Sequence, residues 1–164
     1  MHQLTAFATT EGDPYAETIR VRIDGTRSLV AAARAAGARR FHGAEHLFMC
    51  SPVGSGLTDE DTPLYVDGPP GVAALANAIA SLESQTLDAF GSSGMVLRYG
   101  WFYGPGTSYD PSDSIPIALR AGTMPIAGIG AGTYSFINLR DAAAATVKRG
   151  RTRPTTWSMT SRCR

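Results

Sequence analysis

The residues with the strongest potential for chemistry lie in segment 97–107, which reads Leu-Arg-Tyr-Gly-Trp-Phe-Tyr-Gly-Pro-Gly-Thr. Arg98 and Tyr99 close a short apolar run, and a glycine-rich turn follows them. Open α/β sheets bind their ligands just beyond the carboxyl ends of their strands. An arginine, two tyrosines and three glycines at such a place predict a ligand-binding edge rather than a turn that only packs.

A second candidate is the sequence His-Gly-Ala-Glu-His at 42–46. It matches the inverted zinc-protease motif, in which two histidines one helical turn apart hold Zn²⁺ and a glutamate activates water. The segment follows a helix end and leads into the apolar run 47–50, which reads as a buried strand. In a strand His42 and His46 would lie about 13 Å apart, at ~3.3 Å per residue, too far for one ion. A zinc hydrolase is therefore a remote alternative, and no metal site is predicted.

A third candidate is the glycine-rich run 128–132, which is similar to a phosphate-binding loop. A dinucleotide-binding turn must follow a strand and open a helix, whereas the residues after this run, 133–137, read as a strand. We predict a tight turn between strands there. The serines have no G-x-S-x-G surroundings, so serine hydrolysis has no support.

Helices and strands alternate along the chain and must position these residues. Apolar residues at helical spacing predict a first helix over 15–36 that ends at Gly37, with Arg20, Arg22, Arg27 and Arg34 on its polar face. Further expected elements are a helix over 72–90 begun by Pro69 and Pro70, strands at 95–97 and 133–139, and helices at 114–121 and 141–148. This order predicts βαβ units and a parallel sheet.

Composition excludes several functional classes. The chain has 164 residues, is 43% hydrophobic and carries a formal net charge of +1, so it offers no basic surface for nucleic acid or an anionic membrane. Its two cysteines lie far apart in sequence, as expected of a reduced, cytoplasmic protein. It contains no apolar run near the roughly 20 residues needed to cross a bilayer, and no basic, apolar leader at its start.

Four collinear segments resemble the extended short-chain dehydrogenase/reductase family, the NAD-dependent epimerases and dehydratases. Segment 22–33 resembles its N-x-x-G-T-x-x-L-x-x-A-A helix, and 39–41 resembles the entry to its fifth strand. Segment 97–107 is similar to its L-R-x-x-x-x-Y-G-P-G signature, and 135–143 is similar to S-F-x-H-V-D-D-A-A. The resemblance implies an α/β fold, namely a partial Rossmann-like parallel sheet with helices on both faces and part of a small substrate-binding region.

The resemblance also implies site residues and a cofactor. The family would bind NAD or NADP and act on a nucleotide sugar or a related hydroxyl or carbonyl substrate. Thr5, Ala6, Tyr99 and Gly100 would lie near the cofactor, and Arg98, Tyr103 and Gly104 would line the substrate.

The departures from the family pattern concern catalysis and the cofactor. Leu75 and Ile79 stand where the family's Tyr-x-x-x-Lys pair belongs, counting back from Glu83. The position of the family's active-site serine falls at Glu45 or His46, and that of its helix asparagine falls at Arg22. All four of the family's catalytic positions therefore carry other residues in this chain. Without the tyrosine there is no proton donor for a carbonyl or hydroxyl, so we expect impaired catalysis and leave the catalytic residues unassigned. No glycine-rich cofactor turn precedes the first strand, which implies N-terminal truncation, weak NAD(P) binding and a free strand edge open to a second copy.

Residues 1–148 are expected to form the partial NAD(P)-binding domain, with the substrate segment at about 104–139, and 149–164 an irregular tail. The tail lacks the family's next strand, Y-N-V-x-D-x-E-P, but a one-nucleotide frameshift over its codons would allow that motif. We hypothesise such a frameshift, which the genomic sequence would test. The expected function is an NAD(P)-dependent, epimerase/dehydratase-like protein, and the alternative is a non-catalytic ligand-binding protein of the same fold.

Overall fold

The computed structural model describes the chain in segments. They are residues 15–46, 49–52, 54, 58–59, 61–125, 134–149, 156–159 and 161–162, with side chains described up to residue 148. Thr5, Ala6 and the glycine-rich run 128–132 lie outside these residues, so the predictions made for them stay predictions.

Within the described residues, six strands form two small sheets, and five α-helices accompany them. The helices are α1 (Ala16–Arg20), α2 (Thr26–Ala35), α3 (Pro70–Phe90), α4 (Ser114–Arg120) and α5 (Leu139–Arg149). A π-helical turn (Val21–Gly25) joins α1 to α2, and a 3-10 turn (Gly91–Ser93) follows α3. The strands are β1 (Phe41–His46), β2 (Gly94–Tyr99), β3 (Trp101–Tyr103), β4 (Ser135–Asn138), β5 (Thr156–Met159) and β6 (Ser161–Arg162).

The main sheet is parallel, in the order β1-β2-β5. β1 and β2 are joined through α3, so the two strands and the helix form a βαβ unit. Their register places Glu45 opposite Arg98 and His46 opposite Tyr99 at the carboxyl ends. A second sheet has the order β3-β4-β6, with β3 and β4 parallel. The predicted α/β, Rossmann-like fold class is confirmed.

Helix α3 begins at Pro70, where a missing N–H costs nothing, and it packs on β1 and β2. Its buried side chains follow helical spacing: Ala76, Ala78, Ile79, Leu82 and Thr86. The fit to β1 is close, since a Cβ at Gly43 would lie 2.7 Å from Leu82 Cδ2. This helix therefore covers the sheet face that carries Gly43, Glu45 and Arg98.

The opposite face of the main sheet holds an apolar core. Alternate residues of β1 and β2 meet residues of β4 and α5 there: Ala44, Met95, Leu97, Tyr99, Ile137 and Ala142. Both faces of β2 are buried along its whole length. That burial is typical of a central parallel strand between helical layers.

The first helix runs as predicted, through α1, the π turn and α2, and the chain turns at Gly37 with φ +68°. The sequence assigns two residues of this helix to the wrong face. Arg22 is 5% exposed, whereas Leu29, expected on the apolar face, is 37% exposed. The π turn at 21–25 adds a residue to one helical turn, which rotates the later residues relative to a regular 3.6-residue pattern.

Three further segments differ from the sequence-based expectation. The strand expected to end in the run 47–50 lies earlier, at 41–46. The aromatic part of the predicted turn forms β3, and the tail 149–164, expected to be irregular, contains β5 and β6 and the end of α5. Among the described residues, no helix is both long enough and apolar enough to span a bilayer.

Candidate functional site

The candidate site lies at the carboxyl ends of β1 and β2, where the sequence predicts a ligand-binding edge. His46 and Tyr99 are the last residues of these strands and are paired in register. β3 starts two residues after Tyr99, so the side chains of the glycine-rich signature begin at this edge. The structure therefore brings segments 42–46 and 97–107 together, although they are distant in sequence.

Arg98, predicted to line the substrate, is 5% exposed and is held by protein groups. Its Nε and Nη2 donate to the two carboxylate oxygens of Glu83 on α3, at 2.7 and 2.9 Å. Its Nη1 donates to the carbonyl oxygen of Thr62 at 3.0 Å and approaches the Cys50 sulfur at 3.9 Å. Burial alone would lower the pKa of Arg98, but the bonds and charge of Glu83 outweigh it and raise that pKa. This geometry ties the end of β2 to α3.

A second buried ion pair lies beside the first. Arg22 of the π turn donates from Nη1 to Oε2 of Glu45, and their side chains are 6% and 0% exposed. Glu45 faces Arg98 in register on the neighbouring strand. Two ion pairs, Arg22 with Glu45 and Arg98 with Glu83 of α3, therefore lie on the sheet face that α3 covers. Two of the four residues, Arg22 and Glu45, stand where the resemblance expects an asparagine and, as one of two choices, the active-site serine.

His46, the other choice for the serine position, points to the opposite face of β1 from Glu45 because strand residues alternate. Its ring stacks on Trp101 at 6.0 Å between centroids and lies 6.4 Å from Phe102. Burial, aided by the charge of Arg22, lowers the pKa of His46 to about 4, so the imidazole is neutral at pH 7.

The zinc motif does not form in this geometry. His42, Glu45 and His46 all belong to β1, so Glu45 faces α3 while both histidines face the other side. Within the described residues, no three His, Cys, Asp or Glu side chains are grouped as metal ligands.

Leu75 and Ile79, which the resemblance places where the family's Tyr-x-x-x-Lys pair belongs, lie on α3. Ile79 is 2% exposed and belongs to a small apolar cluster with Met49 and Ala76, against which Leu75 packs. These side chains present hydrocarbon, so this part of α3 offers neither a proton donor nor a charge to a ligand.

The other predicted cofactor and substrate residues have structural surroundings. Tyr99 is 1% exposed, and its hydroxyl hydrogen-bonds to Thr146 on α5. Gly100 is required by a close approach, since a Cβ there would lie 2.6 Å from the carbonyl oxygen of Ser135. Tyr103 is 37% exposed at the end of β3, and Gly104 has φ +117°. Their cofactor and substrate roles, like that of Arg98, stay predictions.

Sequence reasoning missed the ion pair of Glu45 and the ring contacts of His46 and Trp101. Two signals for them were present. A glutamate between apolar residues requires a cation if it is buried, and a tryptophan in a turn offers a large surface for packing.

Comparisons with known proteins agree with this geometry. No protein-family model matches the chain. A dTDP-glucose 4,6-dehydratase from Streptomyces venezuelae with NAD bound has a TM-score of 0.70 at 20% identity, over 95% of this chain and 51% of that chain. An ADP-L-glycero-D-manno-heptose-6-epimerase from Helicobacter pylori has a TM-score of 0.67 at 16% identity, over 97% and 51%. The fold is thus that of the NAD-dependent dehydratases and epimerases.

One curated relative is more similar in sequence. The 3-diazoavenalumate denitrifying reductase of a Streptomyces species is 45% identical over 151 residues, which cover 90% of this chain and 49% of the relative. The chain therefore spans about half the length of this relative. The fold expected from the resemblance is confirmed, and the relative that is 45% identical is named as a reductase.

Proposed function

We propose that these residues form the substrate side of an NAD(P)-dependent reductase that replaces a carbon-bound diazonium group with hydride. The observation that carries the proposal is the 45% identity to a denitrifying reductase across nearly the whole chain. The fold supports the nicotinamide cofactor, because several neighbours of the same fold were crystallised with NAD.

The apolar positions on α3 fit this reaction better than they fit carbonyl chemistry. Reduction of a carbonyl requires a proton on oxygen, which the family's tyrosine would supply. In the diazonium reaction the carbon–nitrogen bond breaks, its electron pair leaves with N₂, and the hydride forms the new carbon–hydrogen bond. R–N₂⁺ and NAD(P)H become R–H, N₂ and NAD(P)⁺, so no proton is consumed. Leu75 and Ile79 then remove nothing that the reaction needs.

The roles proposed for individual residues follow from where they lie. Tyr103, just before the substrate segment 104–139, and Gly104, at its start, would contact the substrate. Thr5, Ala6 and Gly100 would lie near the cofactor. Arg98 acts as a positioning residue, because its guanidinium joins the end of β2 to Glu83 on α3.

An isotope experiment tests this function. The protein is incubated with NADPH deuterated at C4 and an arenediazonium salt with both nitrogens ¹⁵N-labelled, beside a sample without protein. We expect labelled N₂ gas and one deuterium in the reduced product, both at rates above the control. Binding of NADPH by calorimetry without turnover would instead favour the non-catalytic alternative. Turnover of dTDP-glucose in place of the diazonium compound would contradict the proposed substrate class.

A further inference from the structure

Four rings form a continuous cluster at the candidate site. His46 stacks on Trp101 with 6.0 Å between centroids and 27° between planes. Trp101 meets Tyr109 edge to face at 6.0 Å, and Tyr109 meets Phe136 edge to face at 5.0 Å. We call these four residues the aromatic platform. Three different segments contribute to it, namely the end of β1, the stretch from β3 to Tyr109, and β4.

The platform lies where ligands of this fold class bind. His46 is the last residue of β1, and Trp101 opens β3 immediately beyond the carboxyl end of β2. All four residues are partly exposed, whereas Tyr99 and Leu97 nearby are fully buried. The cluster as a whole therefore has surface that a bound molecule can reach.

The platform is uncharged, and the nearby charges are already engaged. The His46 ring is neutral at pH 7 because its pKa is lowered to about 4 by burial and by Arg22. The Arg98 guanidinium, which could hold the phosphate of a nucleotide sugar, bonds to Glu83 and the Thr62 carbonyl. The site thus offers ring surface, and flat aromatic molecules gain from offset or edge-to-face contact with such rings.

We propose that the aromatic platform selects a planar aromatic substrate, binding its ring by stacking against Trp101 and Tyr109. This inference rests on the proposed reductase function and narrows it to diazonium groups carried on an aromatic ring. In an aromatic diazonium ion the carbon that bears the diazonium group is an atom of the planar ring, so the reacting part of the molecule is itself flat.

The test compares two ligands of nearly equal size and different flatness. Binding of 2-naphthol and of its saturated analogue, decahydro-2-naphthol, is titrated by ligand-observed NMR in the absence of cofactor, with UDP-glucose as a third ligand. We expect the naphthol to bind at least roughly tenfold more tightly than the saturated analogue. Trp101→Leu and Tyr109→Leu should each weaken naphthol binding by roughly tenfold.

The matched control is Phe90→Leu. Phe90 also belongs to a ring pair, stacking on Phe41 at 5.1 Å, but at the amino end of β1. This variant should leave naphthol binding unchanged. Thermal unfolding followed by circular dichroism shows which variants are folded, and the use of two platform variants keeps the test valid if one of them unfolds.

Three outcomes would overturn the inference. They are equal affinity for the flat and saturated ligands, loss of binding in Phe90→Leu as large as in Trp101→Leu, and tighter binding of UDP-glucose than of the naphthol. None depends on turnover, so failure here is separate from failure of the proposed reaction. If the protein releases labelled N₂ but binds the flat and saturated ligands equally, the proposed reaction stands and only the role of the aromatic platform is refuted.

Discussion

The buried pair of Arg22 and Glu45 allows a sharp prediction about stability. Only one bond joins them, from Nη1 to Oε2, and among the described residues neither Arg22 Nε nor Glu45 Oε1 has a hydrogen-bond partner. Removing one partner leaves the other charge buried and uncompensated, which typically costs about 3–5 kcal/mol. We therefore expect Arg22→Met and Glu45→Leu each to lower the free energy of unfolding by about that amount.

The double variant should behave differently. Because the pair is incompletely bonded, replacing both residues with hydrocarbon removes two desolvation penalties along with one attraction. We expect Arg22→Met/Glu45→Leu to be within about 1–2 kcal/mol of the natural protein, which gives a coupling energy of at least about 4 kcal/mol in the double-mutant cycle.

The same helix offers a matched control. Glu17 and Arg20 form an ion pair at 2.5 Å, but their side chains are 53% and 61% exposed. The cycle Glu17→Leu, Arg20→Met should give a much smaller coupling energy, because water and salt screen an exposed pair.

Urea unfolding measures both cycles. With a slope of about 1–3 kcal/mol per molar urea, a loss of 3 kcal/mol moves the midpoint by roughly 1–3 M. If the coupling energy of the buried pair were no larger than that of the exposed pair, burial would not strengthen this interaction, and the reasoning would be refuted.

Three smaller perturbations follow from individual contacts. Between about pH 6.5 and pH 4, His46 binds a proton in the unfolded chain but not in the folded protein, where its pKa is about 4. The free energy of unfolding should therefore fall by up to about 3 kcal/mol as the pH is lowered through this range. His46→Gln should flatten this part of the pH–stability curve measured with urea, and an unchanged curve would count against a buried neutral imidazole. Gly100→Ala would force a Cβ against the Ser135 carbonyl and should lower the melting temperature by an amount equivalent to about 1–3 kcal/mol, whereas an unchanged melting temperature would mean that β4 does not approach this closely. Tyr99→Phe removes the hydroxyl bonded to Thr146 and should cost about 1 kcal/mol in chemical unfolding; a loss near zero would argue against that bond.

The elements that sequence predicts well are those with a local pattern. The first helix and α3 repeat their apolar residues at helical spacing, and β2 is a short apolar run between glycines and polar residues. Gly37 ends the first helix because it alone adopts a left-handed backbone there without strain. Local rules decide these features, so one sequence suffices to find them.

The features that sequence reasoning missed depend on distant partners. Trp101 reads as part of a turn until β4 supplies the strand with which β3 pairs. Arg22 reads as a solvent-facing residue until Glu45, 23 residues later, is seen to lie beneath it. The tail reads as irregular because its polar residues show no alternation, yet β2 provides an edge on which Thr156–Met159 pairs. Such pairings are properties of the fold rather than of any segment.

The changes at the expected catalytic positions are physically consistent with one another. Leu75 and Ile79 supply hydrocarbon where the resemblance expects an acid and its activating cation, and the charges of Arg22 and Glu45 pair with each other on the sheet face that α3 covers. His46 contributes an uncharged ring at the same edge. The reaction proposed above asks for no proton from these positions, only that the site hold a flat electrophile beside a hydride donor. Those are the requirements of a reaction whose leaving group departs as N₂, because the energy of that departure replaces the assistance that a carbonyl oxygen would need from an acid.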